Sequence, residues 1–591
     1  MTETDYQYPD WAADVVWYQI FPDRFCRANQ QNPIQASNIK GTSPWNIDES
    51  SPWQIHPWTS DWHEMQPYER ANGKGLKTNI LRRRYCGDIN GIISKIPYLK
   101  DLGVTALYLT PIQYSPSLHK YDGTNFLHVD PFLGSNPLAD IKMIESENFD
   151  DFDNACWTTA DLEALKLVKT AHEAGMKVIF DGVFNHIGYN SKPFQDVLLH
   201  RQDSKYIDWF ITDLQKSTPE KLVYEKFWGC VKEMPKLNYG CNTVREYVLA
   251  TLKRWLKPSG DAAGYDGIDG WRLDHAIGVP LSFWKMACNF TKKINQNSLF
   301  LAELIEPEST IEPYLNNDVF DSVMNYGFYF LSSEFFAKEK KSMSAFNFDK
   351  YLRHQLSLFK PACNYLMMNL LGTHDTERLA SLVVNADLKN FANIATFFAN
   401  THVEDKGYTS RRPNDVELCI QRMMIAFEFV WIGAPMIYYG DELGMWGGND
   451  PECRKPMPWP ELRFDTEHEI TNGRHYKSRV SNVDADMEML AFYKQLIKLR
   501  NQNIALRRGI LRTEYADSER RVYVFSRILD DNVVIAAFNR EKVSVDVSLA
   551  NVPNAEYFDY NNEKSTIKAN KEGVLQIKLP SIGFRILIRR S

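Results

Sequence analysis

The stretch that decides the fold is residues 267–275, which read GIDGWRLDH. It is a short apolar run that ends in charged residues. A helical pattern over Pro280–Ile294 follows it, and a second apolar run, Ser298–Ala302, comes next. This order of strand, helix and strand predicts two parallel strands joined by a right-handed crossover.

The same alternation extends outward along most of the chain. Five helical patterns are predicted at Ile92–Leu102, Thr159–Ala174, Val244–Leu256, Pro280–Ile294 and Glu417–Trp431. Eight strands are predicted at Val15–Ile20, Val104–Leu109, Lys177–Phe180, Gly267–Leu273, Ser298–Ala302, Val319–Met324, Leu366–Leu371 and Pro435–Tyr439. Eight such units favour an α/β fold of the (β/α)8 TIM-barrel type. No GxGxxG motif follows a strand, which disfavours an open dinucleotide-binding sheet.

Three regions depart from simple alternation. Residues 21–90 and 184–243 are too long for plain connections and are rich in aromatic residues, so we expect them to build cleft walls above the barrel. Residues 139–160 resemble an insertion. The C-terminal part alternates with period two, which indicates antiparallel strands. The predicted organisation is a first barrel part (1–183), an inserted subdomain after strand 3 (184–243), the remainder of the barrel (244–504) and a C-terminal antiparallel β-sandwich (505–591).

Composition excludes several classes of protein. The chain has 75 acidic and 68 basic residues and a net charge of −7, which argues against a nucleic-acid or anionic-membrane partner. No uninterrupted apolar run approaches the roughly 18 residues of a membrane span. The nine cysteines form no CxxC motif, so we predict no metal site and no disulfide framework. Residues 1–14 lack the features of a signal peptide, which predicts a cytoplasmic location.

Residues that could carry chemistry follow the predicted strands. Arg272 and Asp274 lie two apart and therefore point to the same face; alone, they could be an ordinary ion pair. Glu303 ends the fifth strand, where loss of hydration favours the protonated form that a general acid needs; it could instead cap a helix. His374 and Asp375 follow the seventh strand and His186 the third, and a structural role is open for each histidine.

These strand ends converge only if the barrel closes. Two carboxyl groups in opposed environments are what cleavage of a glycosidic bond requires, because one attacks carbon and the other protonates the leaving oxygen. The pattern therefore predicts glycoside chemistry at one mouth of the barrel.

The sequence resembles the α-amylase family of retaining glycoside hydrolases, and within it the cyclomaltodextrinase, neopullulanase and maltogenic amylase group. The motifs that carry the resemblance are DGVFNH (181–186), GWRLD (270–274), FLAELIE (300–306), THD (373–375), VVWYQIFPDRF (15–25), HKYDGTNF (119–126), MPKLN (234–238), VFDSVMNY (319–326) and GAPMIYYGDELGMWGGNDPECR (433–454).

The resemblance implies a role for each matching residue. Asp274 would be the nucleophile, Glu303 the acid and then the base, and Asp375 the group that holds the hydroxyls of a distorted sugar. The remaining implied substrate-binding residues are Arg272, which would orient Asp274, the histidines His186 and His374, and Tyr121, which would stack under the sugar.

The sequence also departs from that group. The first predicted barrel strand begins at about residue 15, so we expect the group's N-terminal β-domain to be missing, which leaves cyclodextrin preference and the associated dimer open. Leu304-Ile305-Glu306 replaces Ile-Trp-His after the acid, which affects the acceptor side. The loop Cys26–Asn32 has lost the usual acid of the family's calcium loop. No cofactor is required by the prediction, calcium stays open, and the oligomeric state is not predicted.

Three readings of the function follow. The first is a retaining hydrolase that cleaves α-1,4-glucosidic bonds of maltooligosaccharides and related α-glucans such as starch, pullulan or cyclodextrins. The second is an α-glucan transglycosylase with the same three acids. The third is an inactive barrel that only binds glucan, which is disfavoured because all three acids and Arg272 are present.

Overall fold

Eight parallel strands form a closed barrel in the computed structural model, which describes residues 7–28, 34, 52–340, 342–389, 401–553, 555–560 and 565–590. Each strand pairs with the next along the chain, and the eighth pairs with the first. The strands are β1 (Trp17–Ile20), β2 (Ala106–Leu109), β3 (Lys177–Gly182), β4 (Gly270–Leu273), β5 (Leu299–Ala302), β6 (Ser322–Asn325), β7 (Met368–Leu370) and β8 (Ala434–Tyr438). The predicted barrel is confirmed.

The barrel strands are buried on both faces, as parallel strands under a layer of helices must be. Apart from the half-buried Lys177 at the start of β3, every residue of the eight strands is buried. The register also aligns the functional motifs. Asp181 of β3 pairs with Arg272 of β4, and Leu273 at the end of β4 pairs with Ala302 at the end of β5.

Helices of nine or more residues surround the barrel at Pro137–Ser146, Thr159–Glu173, Lys192–His200, Asn242–Leu256, Leu281–Ile294, Glu308–Asn316, Ala345–Leu358, Asp415–Val430 and Met487–Gln502. The predicted helix Ile92–Leu102 is two helices, Ile89–Ser94 and Ile96–Leu102. The break precedes Pro97, which lies in the first turn of the second helix, because proline cannot donate the hydrogen bond that continues a helix. None of the helices in the described ranges is long and apolar enough to cross a membrane.

Two smaller structures stand beside the barrel. The segment after β3 contains the helix Lys192–His200 and a hairpin of Lys226–Phe227 with Val231–Pro235. A three-stranded sheet of Thr409–Ser410, Glu467–Thr471 and Arg474–Ser481 was not predicted. Part of the predicted cleft wall 21–90 lies outside the described residues, as does most of the loop considered for calcium.

The C-terminal strands are β9 (Ile510–Ala516), β10 (Val522–Leu529), β11 (Asn532–Asn539), β12 (Val545–Leu549), β13 (Glu556–Asp559), β14 (Thr566–Lys568), β15 (Leu575–Leu579) and β16 (Gly583–Arg589). Six of them form an antiparallel sheet in the order β9-β10-β11-β16-β13-β14, and β12 pairs with β15. Apolar residues of both sheets share one buried cluster, as a sandwich requires. The predicted boundary at residue 505 falls in a short helix, Ile504–Arg508, and the domain limits stay a prediction.

Candidate active site

The three predicted acids open into one cavity. Asp274 and Glu303 are the first residues after β4 and β5, so the register of these strands places them side by side. Asp375 follows β7. The cavity has a volume of about 500 Å³. Its lining residues are Tyr121, His186, Phe227, Trp228, Met234, Asp274, His275, Ile277, Glu303, Ile305, Glu306, Asp375, His402, Asn449 and Asp450.

The Arg272 guanidinium connects the carboxylates beneath the cavity. Its Nη1 donates to Asp181 Oδ1 and Oδ2 at 2.8 and 2.9 Å and to Asp274 Oδ1 at 3.0 Å. Its Nη2 forms an ion pair with Glu303 Oε1. Arg272 is fully buried, so its planar fork is fixed in orientation. One cation therefore aims both predicted reacting carboxyl groups into the same space.

The residue after Asp274 adds a second link between the two acids. His275 has φ of 41°, in the left-handed region that non-glycine residues rarely adopt. Its backbone N–H donates to Glu303 Oε2 at 3.0 Å. Backbone strain of this kind persists where the surrounding structure holds it, and such positions cluster at active sites. The turn after β4 thus fixes the position of the β5 acid.

Asp375 is held from two sides. His374 Nε2 lies 3.0 Å from Asp375 Oδ2, and Arg454 Nη2 donates to Asp375 Oδ1 at 2.9 Å. Burial opposes the charge of Asp375, but His374, Arg454 and Arg272 outweigh it and hold the pKa of Asp375 below its usual range. Asp375 is therefore ionised across the physiological range and can accept hydrogen bonds from hydroxyl groups.

Asp274 lies in the opposite environment. Burial raises the pKa of Asp274, the neighbouring carboxylates Glu303, Asp181 and Asp375 add to the effect, and Arg272 opposes it. Burial likewise raises the pKa of Asp181. Several carboxyl groups that share one guanidinium titrate as a set, and the set retains a proton that a single exposed carboxylate would lose. Asp274 has to be ionised to attack carbon, and Arg272 is the neighbour that favours this form.

Tyr121 and the two histidines form one wall. The rings of Tyr121 and His374 stack with centroids 5.2 Å apart and planes 4° apart, and their polar atoms are hydrogen-bonded. Gln19 Nε2 lies 2.8 Å from His374 Nδ1. His186 Nε2 donates to the Tyr121 carbonyl at 2.8 Å, and burial lowers the pKa of His186 to about 4. His186 is therefore a neutral donor that faces the cavity.

Sequence reasoning missed several residues of the site. Asp181 accepts from Arg272, from Tyr108 Oη at 2.7 Å and from Tyr121 Oη at 3.1 Å. Arg454 holds Asp375. The signal for both was available, because Asp181 opens DGVFNH and Arg454 closes the segment 433–454. Phe227 and Trp228 line the cavity and come from the segment 184–243, which the sequence analysis expected to build a cleft wall without naming these two residues as part of the site.

The family model for the α-amylase catalytic domain matches residues 19–409 and 385–509. These residues are well over half of the chain and contain all three acids. The chain belongs to the α-amylase family. Membership makes it a glycoside hydrolase, and the covalent retaining mechanism is general to the family.

The relatives of this family member include all three kinds of protein that the motifs indicated. Cyclomaltodextrinase from Geobacillus thermopakistaniensis is 33% identical over 92% of this chain and 72% of its own length. Neopullulanase 2 from Thermoactinomyces vulgaris is 32% identical over 90% and 70%. Intracellular maltogenic amylase from Bacillus subtilis is 32% identical over 92% and 71%. The predicted subgroup resemblance is thereby confirmed.

A solved structure of a cyclomaltodextrinase superimposes on 99% of this chain and 79% of its own length, with a TM-score of 0.71 and 27% identity. The arrangement of barrel and C-terminal sheets is thus shared with a member of the same family.

Proposed function

We propose that this enzyme hydrolyses α-1,4-glucosidic bonds of maltooligosaccharides and related α-glucans, among them starch, pullulan or cyclodextrins, with retention of configuration. The observation that carries the proposal is the Arg272 cluster, in which one buried guanidinium holds Asp274 and Glu303 at the floor of a cavity that Asp375 also faces. The names of the relatives supply the substrate class.

In the first half of the proposed reaction, Asp274 attacks the anomeric carbon and forms a covalent glycosyl-enzyme. Glu303 donates its proton to the leaving oxygen as the glycosidic bond breaks. In the second half, Glu303 takes a proton from water, the water oxygen attacks the anomeric carbon, and Asp274 leaves as a carboxylate. The first half needs a carboxylate and an acid within reach of one carbon, and the second half needs Glu303 as a carboxylate base at the same carbon. Arg272 holds both side chains in position for the two halves.

The other predicted residues bind and position the sugar. Asp375, ionised by His374 and Arg454, accepts hydrogen bonds from ring hydroxyls that move as the sugar distorts. Tyr121 and His186 line the cavity beside the nucleophile, and the Tyr121 ring also stacks on His374. Arg272 acts through Asp274 and Glu303 and is therefore a positioning residue.

A second activity, transfer of the glycosyl group to another glucan, uses the same intermediate. Trp228 favours it, because this side chain is 73% exposed and lines the mouth of the cavity, where an acceptor sugar could stack. An acceptor held there competes with water for the glycosyl-enzyme.

Two further aspects belong to the proposal. The reaction needs no cofactor, since side chains and water supply the nucleophile, acid and base. The enzyme is cytoplasmic, in keeping with the relative named as an intracellular maltogenic amylase.

The test is incubation of the purified chain with maltotriose, γ-cyclodextrin, pullulan and soluble starch, followed by sizing of the products. Hydrolysis gives shorter sugars from at least one substrate, and transfer gives products longer than maltotriose. Products of the opposite anomeric configuration, followed by NMR during the first turnovers, would contradict the retaining mechanism. No cleavage of any of the four would contradict the substrate class.

A further inference from the structure

Three metal-binding side chains meet away from the catalytic cavity. His128 lies on the strand Asn125–Val129, Glu147 directly follows the helix Pro137–Ser146, and Cys156 lies just before the helix Thr159–Glu173. One ligand atom from each residue lies within 4.8 Å of the other two. None of the three lines the catalytic cavity. We refer to them as the His128 cluster.

His128 is already oriented as a metal ligand would be. Its Nδ1 lies 2.8 Å from Asp161 Oδ2, which leaves Nε2 directed at the cluster. Asp161 is fixed in turn by Arg254 Nη2 at 3.1 Å and by the backbone N–H of Val129 at 2.7 Å. A carboxylate on the far nitrogen of a histidine sets the ring orientation and raises its basicity, as in many zinc sites.

Cys156 and Glu147 are also held in place. The Cys156 carbonyl accepts from Arg254 Nη2 at 2.6 Å, and its backbone N–H lies 3.3 Å from Glu147 Oε2. The Arg254 guanidinium packs over the Trp157 ring at 3.5 Å from its centroid, which fixes the next residue along the chain. The backbone around Cys156 is therefore set by contacts that do not involve its sulfur.

We propose that His128 Nε2, the Glu147 carboxylate and Cys156 Sγ bind one divalent transition-metal ion, with Zn²⁺ the best match and a water molecule as the fourth ligand. Nitrogen, oxygen and sulfur together suit zinc rather than calcium or magnesium, which prefer oxygen alone. Ligand bonds of roughly 2.0–2.3 Å in a tetrahedron place ligand atoms about 3.5 Å apart. Closing the cluster from separations of up to 4.8 Å therefore needs movements of about 1 Å.

Binding of the metal ion would leave the net charge of the His128 cluster unchanged. His128 Nδ1 lies 2.8 Å from Asp161 Oδ2, and His128 Nε2 lies 2.9 Å from Glu147 Oε1. A Zn²⁺ ion takes the place of the Nε2 proton and of the Cys156 thiol proton. Two positive charges replace two protons, so the Arg254–Asp161 pair meets no additional charge. Glu147 and Cys156 are partly exposed, which gives the ion a route from solvent.

The bound ion would join the strand Asn125–Val129 to two positions in the region of the predicted insertion, 139–160, namely Glu147 and Cys156. The sequence spacing conceals this site, because the ligands are separated by 19 and 9 residues and include no CxxC. The sequence pattern predicted no metal site, and this proposal differs from that prediction. The role of the ion would be structural and independent of the proposed glucan hydrolysis.

The test uses Co²⁺ as a spectroscopic substitute for Zn²⁺ on the full chain, with thiols reduced and chelator removed. One Co²⁺ per chain is expected to give tetrahedral d–d bands and a thiolate-to-cobalt charge-transfer band, and Zn²⁺ is expected to bleach both. Cys156→Ser removes the charge-transfer band and weakens Co²⁺ binding by at least about tenfold. His128→Gln is expected to weaken binding similarly.

Matched controls separate this site from others. Cys230→Ser and Cys419→Ser change the two exposed cysteines and leave the charge-transfer band intact. Within the described residues, a second group of acid and histidine side chains, Asp61, Glu64 and His468, contains no sulfur, so His468→Gln is expected to leave the charge-transfer band intact. If His128→Gln fails to fold, the partly exposed Cys156→Ser still decides the matter. A missing thiolate band in the unaltered chain, or one that survives Cys156→Ser, overturns the proposal.

Discussion

The barrel mouth and the C-terminal sheets bury different kinds of side chain. At the mouth, the buried Arg272 contacts Asp181, Asp274 and Glu303. Between the C-terminal sheets, the strands β12 and β15 alternate buried apolar with exposed polar residues, and the buried residues of the shared core are aliphatic except for Tyr557. Burial of a charge cluster costs desolvation free energy that its internal pairing only partly offsets, whereas burial of aliphatic surface stabilises the fold directly.

This difference predicts whether a substitution in each region changes the catalytic rate or the stability. A change at the mouth is expected to alter rate, because its polar groups are aimed at a reacting carbon. A change between the sheets is expected to alter stability, because no group there faces the cavity. Four experiments challenge this division, in order of decreasing expected effect.

Asp274→Asn is expected to lower kcat by several powers of ten, on the order of 10⁴ or more, because the amide cannot form the covalent intermediate. Substrate binding should persist, since the cavity wall is unchanged. Steady-state kinetics with maltotriose and binding calorimetry check this. The matched control is Asp546→Asn, the same change at an exposed position of β12, with unaltered kcat. Near-normal turnover in Asp274→Asn would remove the nucleophile assignment.

Leu575→Ala should lower the free energy of unfolding by about 2–5 kcal/mol, because the side chain is fully buried between the sheets and its loss leaves a cavity. Urea denaturation measures the change, and kcat at low temperature should stay within about twofold of the unaltered enzyme. Val543→Ala, at a side chain that is 64% exposed, serves as the control. A large loss of kcat in folded Leu575→Ala would break the division between the two regions.

Glu442→Gln tests a buried carboxyl that, unlike Asp375, lies among neutral donors. Tyr18 and Tyr98 donate to its Oε1 at 2.7 and 2.9 Å, and burial raises its pKa from 4.5 to about 7. The folded chain keeps this proton up to about pH 7, whereas the unfolded chain releases it near pH 4.5. Stability should therefore fall by about 3 kcal/mol as pH rises through this window.

The glutamine variant should lose this component of the pH dependence, because it has no proton to release and retains an acceptor for both tyrosines. Urea midpoints between pH 4.5 and 7.5 measure the difference between variant and unaltered enzyme. Glu488→Gln, whose side chain is 87% exposed, is the control and should leave the pH profile unchanged. Parallel profiles for the unaltered enzyme and Glu442→Gln would show that Glu442 does not hold the proton.

Trp228→Ala has the smallest expected effect. Its ring stacks on Phe227 with centroids 4.4 Å apart and faces the cavity mouth, so it is expected to contribute about 1 kcal/mol to acceptor binding. The ratio of transfer to hydrolysis should fall roughly fivefold, measured from the products of concentrated maltotriose. Tyr351→Ala removes a half-exposed ring outside the cavity as a control. An unchanged ratio would assign Trp228 no role in transfer.

Much of the barrel was predictable because its strands are buried on both faces and read as continuous apolar runs. The residues at their ends were predictable for the same reason, since a closed barrel brings Asp274, Glu303 and Asp375 to one mouth. The sheet formed by Thr409–Ser410, Glu467–Thr471 and Arg474–Ser481 was not predictable. Most of Arg474–Ser481 is exposed, so this strand lacks the alternation of buried apolar and exposed polar residues that β15 shows.

Tertiary contacts explain the remaining omissions. Asp181 and Arg454 lie in motifs that carry the family resemblance, but Arg454 meets Asp375 across 79 residues and Asp181 meets Arg272 across 91 residues, so no local pattern reveals which partner each residue contacts. The left-handed turn at His275 was equally hidden. Histidine is enriched among the non-glycine residues with positive φ, but such residues are only a few per cent of all, so the residue type alone does not predict the turn. The break before Pro97 could have been predicted from the proline alone.

One face of the six-stranded sheet belongs to the core of the barrel. Phe525 and Phe538 pack edge-on against Phe427, and the buried Arg527 donates to the Val430 carbonyl at the end of the same helix. The six-stranded sheet therefore covers apolar surface of the barrel and is not a separate appendage. A chain shortened before Ile510 would expose the Phe427 ring to water, so a minimal catalytic fragment would have to keep the sheet or be given a substitute surface.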